Sequence, residues 1–428
     1  MVFTTNVSEE PLVATLRLAI FIFMLPLLVK YLIQIVSAFS YAHVERRRSA
    51  KGSAPDNPKV SVLIPAWNEE VGIIKTIQSV LDTHYSQLEL IVINDGSTDR
   101  TGKLVTEFID QYDALLSEDS AEPACEIKYL ELPNGGKARA LNHGLAVASG
   151  EFIVTVDADS VMDRDAITKL LQRFDDPVVG AVAGNVIVGN RKQRLALLQQ
   201  LEYLYGFFFK RADSVFDSVY IIGGAAAAYR KSTLDAVRGF DHAIITEDIE
   251  MSMRILSHGF KTRYAADAVV YTEGPIDFKG LGKQRLRWKF GRIMTFLRHK
   301  DMFFNRRLNN PYLSHLLLPV ALYAELSLLL EPLLLAIFYG YTIYANDYLP
   351  LAGIITFVTF MVLYQIKTDS KANFHKNIIC LAPVAWVLFY VIDLIELQAL
   401  VRSIKRLIKR QELKWQSWNR VGLLSKRI

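Results

Sequence analysis

The sequence has 428 residues, a net charge of +5 and a hydrophobic fraction of 51%. This fraction is high for a soluble protein with 22% charged residues, so a membrane-associated protein is predicted. The two cysteines, Cys125 and Cys380, are too few for a disulfide framework or a cysteine zinc site.

The first apolar stretch covers residues 11–42 and is followed by Arg46-Arg47-Arg48. It fits either a cleaved signal peptide, because its fully apolar core is short, or a membrane anchor. Apolar residues resume after Lys30 and reach roughly the 20 residues that a spanning helix needs. Residues 11–42 are therefore predicted as a transmembrane helix in the cell membrane. Basic residues mark the cytoplasmic end of a span, so the following domain is expected in the cytoplasm.

Basic residues cluster beside the apolar stretches and not along the middle of the chain. This position favours contact with the anionic lipid of a bilayer. A nucleic-acid partner is the alternative for such runs, and their place beside the membrane argues against it. The predicted partner is therefore the lipid bilayer, and no nucleic acid is expected.

Residues 58–300 alternate between strand-like and helical segments. The predicted strands are Val60–Ile64, Leu88–Asn94, Ile127–Leu130 and Phe152–Val156, and the predicted helices are Val71–Leu81, Thr98–Tyr112 and Lys137–Ala148. This alternation predicts an α/β domain, with a mostly parallel sheet and helices on both faces. A ligand is expected beyond the carboxyl ends of the strands, where Pro65, Asn68, Asp95 and Asp157 lie. The acidic segment 114–125 is predicted to be a surface loop.

Apolar sequence returns after residue 310. Residues 301–320 are predicted as an interfacial helix and residues 321–400 as a transmembrane region of about three spans. One anchor and three later spans would place the basic tail, residues 401–428, outside the cell, against the tendency of basic residues to remain inside. A tail that faces the cytoplasm requires a re-entrant or interfacial stretch, or an additional crossing within Tyr312–Tyr344. The sequence leaves these alternatives open.

Three polar motifs lie at the ends of predicted strands or the start of a helix. Asp95 precedes Gly-Ser-Thr. This pattern fits an ordinary turn or a helix cap. It also fits a binding residue whose carboxylate accepts hydrogen bonds from uracil or ribose. Asp157-Ala158-Asp159 is either a solvated turn or a pair of ligands for Mg²⁺ or Mn²⁺, which also bind diphosphate oxygens. Lys137 lies at a glycine-rich helix start, either as part of a plain helix or as a phosphate contact.

Two further motifs lie nearer the carboxyl end of the domain. Thr246-Glu247-Asp248 begins a predicted helix, where acidic residues complement the helix dipole. Alternatively, Asp248 is a general base that deprotonates a sugar hydroxyl. The segment Gln284–Trp288 lies in a cationic helix, which suits a membrane interface. It also suits a binding element, in which Arg287 contacts a diphosphate and Trp288 stacks on a sugar.

In this order and spacing, the motifs resemble those of the membrane-bound, processive family 2 glycosyltransferases. This family includes the cellulose, chitin, hyaluronan and poly-β-1,6-N-acetylglucosamine synthases, and Val179–Asn185 and Lys279–Trp288 look most like the last of these. The resemblance covers residues 58–300 and implies a GT-A fold, a UDP-sugar donor, a polysaccharide acceptor and Mg²⁺ or Mn²⁺. The resemblance implies uridine binding by Pro65, Asn68, Glu69 and Asp95, diphosphate and metal binding by Asp157 and Asp159, and base catalysis by Asp248. It also implies contacts of Gln284, Arg287 and Trp288 with the diphosphate and the acceptor. Lys137 and Glu247 are predicted as further substrate contacts.

The resemblance also implies inverting, processive synthesis of a β-linked polysaccharide and its export through the membrane segments. UDP-N-acetylglucosamine is the expected donor, and a hyaluronan-, chitin- or cellulose-type synthase is left open. Only one span precedes the domain, where several relatives have two or more, so a small membrane partner subunit is also left open. A transferase that adds one sugar to a lipid carrier would generally lack Gln284–Trp288. A catalytically silent scaffold would not be expected to keep every motif intact.

Overall fold

The computed structural model describes residues 11–119, 125–413 and 420–423. Within these residues the centre of the molecule is one eight-stranded sheet. Its strands are β1 (Val60–Ala66), β2 (Leu88–Asp95), β3 (Cys125–Leu132), β4 (Phe152–Thr155), β5 (Ser160–Met162), β6 (Val179–Val188), β7 (Ala227–Arg230) and β8 (Lys261–Thr272).

The strand order is β3-β2-β1-β4-β7-β6-β8-β5. The pairs among β3, β2, β1 and β4 and the pair β6–β8 are parallel, whereas β7 runs antiparallel to both of its neighbours and β5 runs antiparallel to β8. The parallel half corresponds to the region that the sequence predicts. Because the carboxyl ends of β1, β2 and β4 meet at one edge, the loops after these strands are brought together.

Helices cover both faces of the sheet, as the sequence predicts. Alternate residues of a strand point to opposite faces, so Val62 and Ile64 enter one apolar core and Leu63 enters the other. The first core contains residues of α2 (Ile73–Leu81), α3 (Thr101–Asp119) and α5 (Ala166–Leu171); the second contains residues of α4 (Lys137–Val147), α7 (Lys231–Ala236) and α8 (Glu247–Ser257). Burial on both faces explains the continuous apolar runs Val62–Ile64 of β1 and Leu90–Ile93 of β2.

The remaining helices lie beside this domain or carry the apolar stretches. They are α1 (Pro11–Lys51), α6 (Arg194–Val215), α9 (Phe278–Arg298), α10 (Leu318–Ser327), α11 (Glu331–Tyr344), α12 (Leu349–Thr368) and α13 (Ala385–Ile408), with a π-helical turn at Tyr312–Leu317 and 3₁₀ segments at Lys300–Met302 and Phe374–Val384. By length and composition, three helical stretches of the described chain can cross a membrane: Leu18–Lys51, Leu349–Thr368 and Phe374–Ile408. The pair Tyr312–Ser327 and Glu331–Tyr344, bent by 71°, would add a fourth if it is one span.

Three helix boundaries differ from the sequence predictions. The first helix continues past residue 42 to Lys51, and α3 continues to Asp119, so the predicted loop 114–125 is helical up to that point. Residues 120–124 lie outside the described residues. The basic tail predicted from residue 401 is still helical to Ile408, and its residues 414–419 and 424–428 are outside the described residues.

The single interfacial helix predicted over residues 301–320 is wrong. After a short 3₁₀ turn the chain is irregular, and helical structure resumes only at Tyr312. Asn310 explains the boundary, since its side-chain oxygen accepts the backbone N–H of Leu313 at 3.0 Å. Pro311 follows it, and a residue before proline is disfavoured in helical conformation. Asn310-Pro311 is therefore the sequence signal for this helix start.

The first apolar helix is packed firmly onto the sheet domain. Gln34 donates to Asp213 of α6 at 3.0 Å, and Tyr41 donates to the backbone carbonyl of Tyr264 at 2.6 Å. Arg48, near the end of α1, lies 2.8 Å from the Asp217 carboxylate. These contacts fix the orientation of the domain relative to α1, and therefore relative to the apolar region.

Candidate active site

Asp95, the last residue of β2, positions the loop that leads into α4. Its two carboxylate oxygens accept the backbone N–H groups of Gly135 and Gly136, each at 2.8 Å. Gly136 has φ +87°, a conformation that side chains disfavour, so glycine is required there. Asp95 is buried, with 4% of its surface exposed. Its observed role is to hold the start of α4, and its contact with uridine remains a prediction.

The loop after β1 is tied to the loop after β2. The backbone N–H of Asn68 donates to Ser97 Oγ at 3.0 Å, and Asn68 Oδ1 accepts from the Thr98 N–H at 2.8 Å. Glu69 N–H donates to Thr101 Oγ1 at 2.8 Å. Pro65 lies one residue before the end of β1. The sheet thus brings the predicted uridine-binding residues to one edge, as expected from the parallel topology.

Lys137 joins two of the predicted motifs. Its Nζ lies 2.6 Å from Asp157 Oδ1 and 3.1 Å from Glu247 Oε1. The sequence left open a plain helix start or a phosphate contact for this lysine. Here its Nζ is the counter-ion of two carboxylates, and its contact with a phosphate stays a prediction. As this counter-ion, Lys137 holds the strand-end motif Asp157-Ala158-Asp159 next to the start of α8.

Asp157 and Asp159 have the chemistry of a partial metal site. Carboxylate oxygens suit Mg²⁺ and Mn²⁺, and Mg²⁺ is usually held by one or two carboxylates together with substrate phosphates. Among the described residues, no group of three or more His, Cys, Asp and Glu side chains could hold a metal ion. The two aspartates therefore fit a cation whose remaining ligands are water or the oxygens of a diphosphate.

Asp248 lies in the first turn of α8, immediately after Glu247. Burial and the adjacent Glu247 carboxylate raise the pKa of Asp248 to about 6, against the opposing charge of Lys137. Its Oδ1 accepts the backbone N–H of Ile249 at 2.9 Å. A general base works best when its pKa is near the working pH, so this environment suits proton abstraction better than that of an exposed aspartate.

Helix α9 brings the last motif to the same place. The helix is capped by Asp277, which accepts the N–H of Gly280 at 2.7 Å, and Gln284 is buried within it. The carboxylates with the largest electrostatic effect on Arg287 are Glu247 and Asp248, followed by Asp157. The motifs at Asp157, Asp248 and Arg287 therefore form one cluster.

Trp288 lies on the same helix, between aromatic and cationic neighbours. Its ring centroid is 6.4 Å from that of Tyr203 in α6, at an interplanar angle of 38°. The guanidinium of Arg285 lies 4.4 Å from the Trp288 ring centroid. It therefore covers one face of the indole. Tyr203 and Trp288 together give the cluster an aromatic border of the kind that a sugar ring can contact.

A family model described as "Glycosyltransferase like family 2" matches residues 58–291, more than half of the chain. The chain belongs to this family. Two curated poly-β-1,6-N-acetyl-D-glucosamine synthases, from Staphylococcus epidermidis and Staphylococcus aureus (strain COL), are 34% and 33% identical to this glycosyltransferase over 243 residues. The matched region covers 56% of the chain and 56% of each relative, so it spans about half the length of those relatives.

A solved structure shares the fold of the glycosyltransferase over most of its length. The mannosyltransferase PcManGT from Pyrobaculum calidifontis, in complex with GDP-Man and Mn²⁺, superposes with a TM-score of 0.58 and 20% identity. The alignment covers 91% of this chain and 99% of that chain. The GT-A fold predicted from the sequence is therefore confirmed, as are membership of family 2 and the enzyme class.

The pKa of Asp248 predicts how the activity of the glycosyltransferase depends on pH. If Asp248 is the general base, it accepts a proton only when it is ionised, and kcat/KM should then fall as pH decreases through about 6. Below that point the loss should approach about tenfold per pH unit, and the rate should be level just above it. Initial rates between pH 5 and pH 8 at low donor concentration give kcat/KM as a function of pH. A rate that is unchanged down to pH 5 would contradict Asp248 as the base.

Gly291 controls how closely α9 approaches the start of α8. A Cβ added at Gly291 would overlap the side chain of Thr246. Gly291→Ala should therefore displace α9, move Arg287 away from Asp248, and lower turnover by about 100-fold, a loss usual for misplacement by an ångström. The variant should also unfold at a lower temperature.

Gly282→Ala provides the matched control for this glycine, since it lies on the same helix with no atom within 4 Å of the added Cβ. It should keep its activity, because alanine favours a helix over glycine. Equal turnover of the two variants would show that the close approach of α9 and α8 is not required for catalysis.

Arg420 is a residue of the site that sequence reasoning missed. Its guanidinium lies 2.8 Å from Glu69 Oε1 and 2.5 Å from Asp159 Oδ2. The bond to Glu69 joins residues 351 positions apart, so no local pattern could have indicated it. Burial raises the pKa of Glu69 to about 7, although the charge of Arg420 opposes this shift.

Proposed function

We propose that this family 2 glycosyltransferase polymerises a β-linked polysaccharide from a UDP-sugar, with UDP-N-acetylglucosamine as donor and poly-β-1,6-N-acetylglucosamine as product. The observation that supports this most is the position of α9. Arg287 interacts electrostatically with Asp248, and Trp288 follows it on the same helix. The next residue, Lys289, pairs with acidic groups of the apolar helices. The names of the curated relatives support the choice of sugar.

In the proposed reaction Asp248 removes the proton from a hydroxyl at the end of the acceptor. The hydroxyl oxygen then forms a bond to the anomeric carbon from the side opposite UDP, the bond between that carbon and the diphosphate oxygen breaks, and UDP leaves. The configuration is inverted, which gives a β-linkage. Arg287 stabilises the charge that develops on the diphosphate.

The nucleotide would be held by the tied loops at Pro65, Asn68, Glu69 and Asp95. Asp157 and Asp159 would hold Mg²⁺ or Mn²⁺, which when bound neutralises charge on the diphosphate. The mannosyltransferase PcManGT, whose structure contains GDP-Man and Mn²⁺, supports a divalent cation with a nucleotide sugar on this fold. Lys137 keeps Asp157 and Glu247 next to each other around this position.

A layer of buried ion pairs between α9 and the apolar helices lies along the proposed path of the growing polymer. Lys289 lies 2.5 Å from Glu325 of α10 and 2.8 Å from Glu396 of α13. Arg285 lies 2.6 Å from Glu202 of α6. Ionisable groups in apolar segments usually face a bundle interior or an aqueous path. This supports passage of the acceptor from Trp288 into the helical region, and export through it.

The contacts of the later helices support a membrane topology with both the catalytic domain and residues 420–423 in the cytoplasm. Asp369, just after α12, accepts from Asn185 of β6 at 3.2 Å, and His375 lies 3.0 Å from Gln200 of α6. Arg420 lies at the donor site. Both ends of the stretch Phe374–Ile408 are thus on the catalytic side, so we propose that it enters the bilayer and returns. The crossings would be α1, the bent pair α10–α11, and α12.

The donor is tested with the purified protein in lipid nanodiscs and a panel of UDP-sugars. Release of UDP should be fastest with UDP-N-acetylglucosamine, and slower by at least about tenfold with UDP-glucose or UDP-glucuronate, a difference expected where a buried polar contact is lost. Preference for UDP-glucose would favour a cellulose-type synthase. A requirement for both UDP-glucuronate and UDP-N-acetylglucosamine would favour a hyaluronan-type synthase.

A further inference from the structure

One face of α6 extends away from Trp288 along the active-site cluster. Tyr203 lies on this face, with its ring centroid 6.4 Å from that of Trp288. Gly206 follows three residues later and Lys210 four residues after that, a spacing that places all three on one side of the helix. The distance along the helix from Tyr203 to Lys210 is about 10 Å. The face is therefore long enough to border more than a single small group.

This face of α6 borders open space on the side of α9. Glu202, four residues before Gly206, lies 2.6 Å from Arg285 of α9, and Tyr203 contacts Trp288 of the same helix. Gly206 continues this side of α6 toward α9. A Cβ added at Gly206 would nevertheless meet no atom of the described residues within 4 Å. The two helices are thus in contact at Tyr203 and separated by a gap at Gly206.

Lys210 carries an ammonium group on the side of α6 that borders this gap. Its Nζ lies 4.1 Å from the ring centroid of Phe207, and its charge interacts with Asp248 and Asp213. Burial lowers the pKa of Lys210 to about 8, against the opposing effect of these two carboxylates, so the group is mostly charged at neutral pH.

The ammonium of Lys210 has donors to spare for a ligand. Among the described residues Lys210 forms no hydrogen bond and no ion pair. An ammonium has three N–H donors and no acceptor, and an aromatic face such as that of Phe207 does not satisfy them. A partly buried charge without hydrogen-bond partners is costly. The site is therefore built for a ligand that supplies oxygen acceptors.

The surroundings of Lys210 fit an acceptor sugar better than a phosphate of the donor. The carboxylates that act on Lys210 are Asp248 and Asp213, whereas Arg287 also interacts with Asp157. Lys210 therefore belongs to the side of the cluster that holds the predicted base, and Arg287 to the side that includes the predicted cation ligand. Hydroxyl and amide oxygens of a sugar accept hydrogen bonds from an ammonium.

We propose that the gap between α6 and α9 holds the terminal sugars of the acceptor, and that Lys210 donates hydrogen bonds to their oxygens and so positions the attacking hydroxyl at Asp248. The inference rests on the proposed function in taking Asp248 as the base and a saccharide as the acceptor. Lys210 takes no proton in this role. Its loss should therefore affect transfer to a sugar and not transfer to water.

Lys210→Met tests this role in the full-length protein in lipid nanodiscs, because methionine keeps the packing on Phe207 and removes the charge. With a short oligosaccharide of β-1,6-linked N-acetylglucosamine as acceptor, kcat/KM for the acceptor should fall about 10- to 100-fold, the loss usual for a hydrogen bond from a charged group. Hydrolysis of UDP-N-acetylglucosamine to free sugar, measured without acceptor, should stay within about twofold of the wild-type rate. Lys210→Arg should recover part of the transfer, since it restores the charge.

Lys103→Met is the matched control for the charge. Lys103 is an exposed lysine of α3 that lies 3.6 Å from Glu107, and its substitution should change neither transfer nor hydrolysis.

Gly206→Leu tests the gap without changing any charge. A leucine side chain would extend into the open space, so it should block the acceptor, lower transfer by at least about tenfold, and leave hydrolysis of the donor intact. Gly353→Leu is its control, since Gly353 is a helical glycine of α12 whose added Cβ also meets no described atom within 4 Å. That variant should keep both activities.

Oligosaccharide binding in the presence of UDP, measured by isothermal titration calorimetry, gives a readout that does not depend on turnover. Lys210→Met and Gly206→Leu should both weaken this binding about tenfold or more, and UDP affinity should be unchanged. Equal loss of transfer and hydrolysis, or weaker UDP binding, would overturn the inference, because Lys210 would then act on the donor or on the base. Wild-type transfer by Lys210→Met, or no oligosaccharide binding by the wild type, would also overturn it.

The same measurements separate this inference from the proposed function. A protein that transfers sugar at a rate independent of Lys210 and Gly206 would contradict the acceptor gap and leave the proposed transferase activity in place. A protein that binds the oligosaccharide in a manner dependent on both residues, but transfers no sugar from any UDP-sugar, would contradict the activity alone.

Discussion

Asp248→Asn is expected to lower the rate of sugar transfer by about 10³-fold, within the range attributed to a positioned general base. Asparagine is close to isosteric but cannot accept the proton of the acceptor hydroxyl. UDP affinity should remain nearly unchanged, because the predicted nucleotide contacts lie on the loops after β1 and β2. The rate of transfer is measured from the release of UDP. UDP affinity is measured by isothermal titration calorimetry.

Asp235→Asn is the matched control for this substitution. Asp235 is an exposed aspartate of α7 whose carboxylate lies 3.4 Å from Lys231, so the same change of charge should leave transfer intact. Transfer by Asp248→Asn within a few fold of the wild-type rate would remove Asp248 from the role of base. Loss of UDP binding together with transfer would instead indicate that Asp248 shapes the donor pocket.

Arg287→Ala is expected to lower kcat by about 10²- to 10³-fold, the loss usual when one preorganised charge-stabilising group is removed. The KM for the donor should change less, because the negative charge on the departing diphosphate is larger in the transition state than in the bound donor. Arg287→Lys should recover part of the rate, since it restores the charge without the planar fork. Steady-state kinetics with saturating acceptor separate the two parameters.

Lys279→Ala, an exposed cation on the same helix, should leave kcat unchanged. If Arg287→Ala raises KM and leaves kcat as it was, Arg287 contributes uniform binding and does not stabilise the leaving group. If both variants lower kcat equally, the effect comes from the net charge of α9 and not from the position of Arg287.

The parallel half of the sheet could be predicted because its strands are buried on both faces. The predicted Val60–Ile64, Leu88–Asn94 and Phe152–Val156 match β1, β2 and β4 within two residues at each end. Apolar, β-branched runs followed by Pro65 or by Asp-Gly carry a strong local signal. In contrast, β7 is the short segment Ala227–Arg230, whose alanines favour no strand, and only its neighbours β4 and β6 impose that conformation.

The active-site cluster was predictable to different degrees for different residues. Asp95 and Asp157 follow parallel strands, so topology alone places them at one edge. Asp248 and Arg287 come from helices beyond the antiparallel part of the sheet, and their convergence was implied only by the resemblance to a known family. For Lys137 the sequence allowed a plain helix start or a phosphate contact. Its pairing with Asp157 and Glu247 could not be predicted, because only the fold brings these distant residues together.

The most direct test of polysaccharide synthesis uses purified protein in nanodiscs with radiolabelled UDP-N-acetylglucosamine and Mn²⁺, with the products separated by size. A processive synthase should give a product of high molecular weight while most of the donor is still unused, and an enzyme that cleaves β-1,6-linked N-acetylglucosamine should degrade that product. Label found only in a lipid-soluble product carrying one sugar, or no incorporation by a protein that binds UDP, would contradict the proposed function.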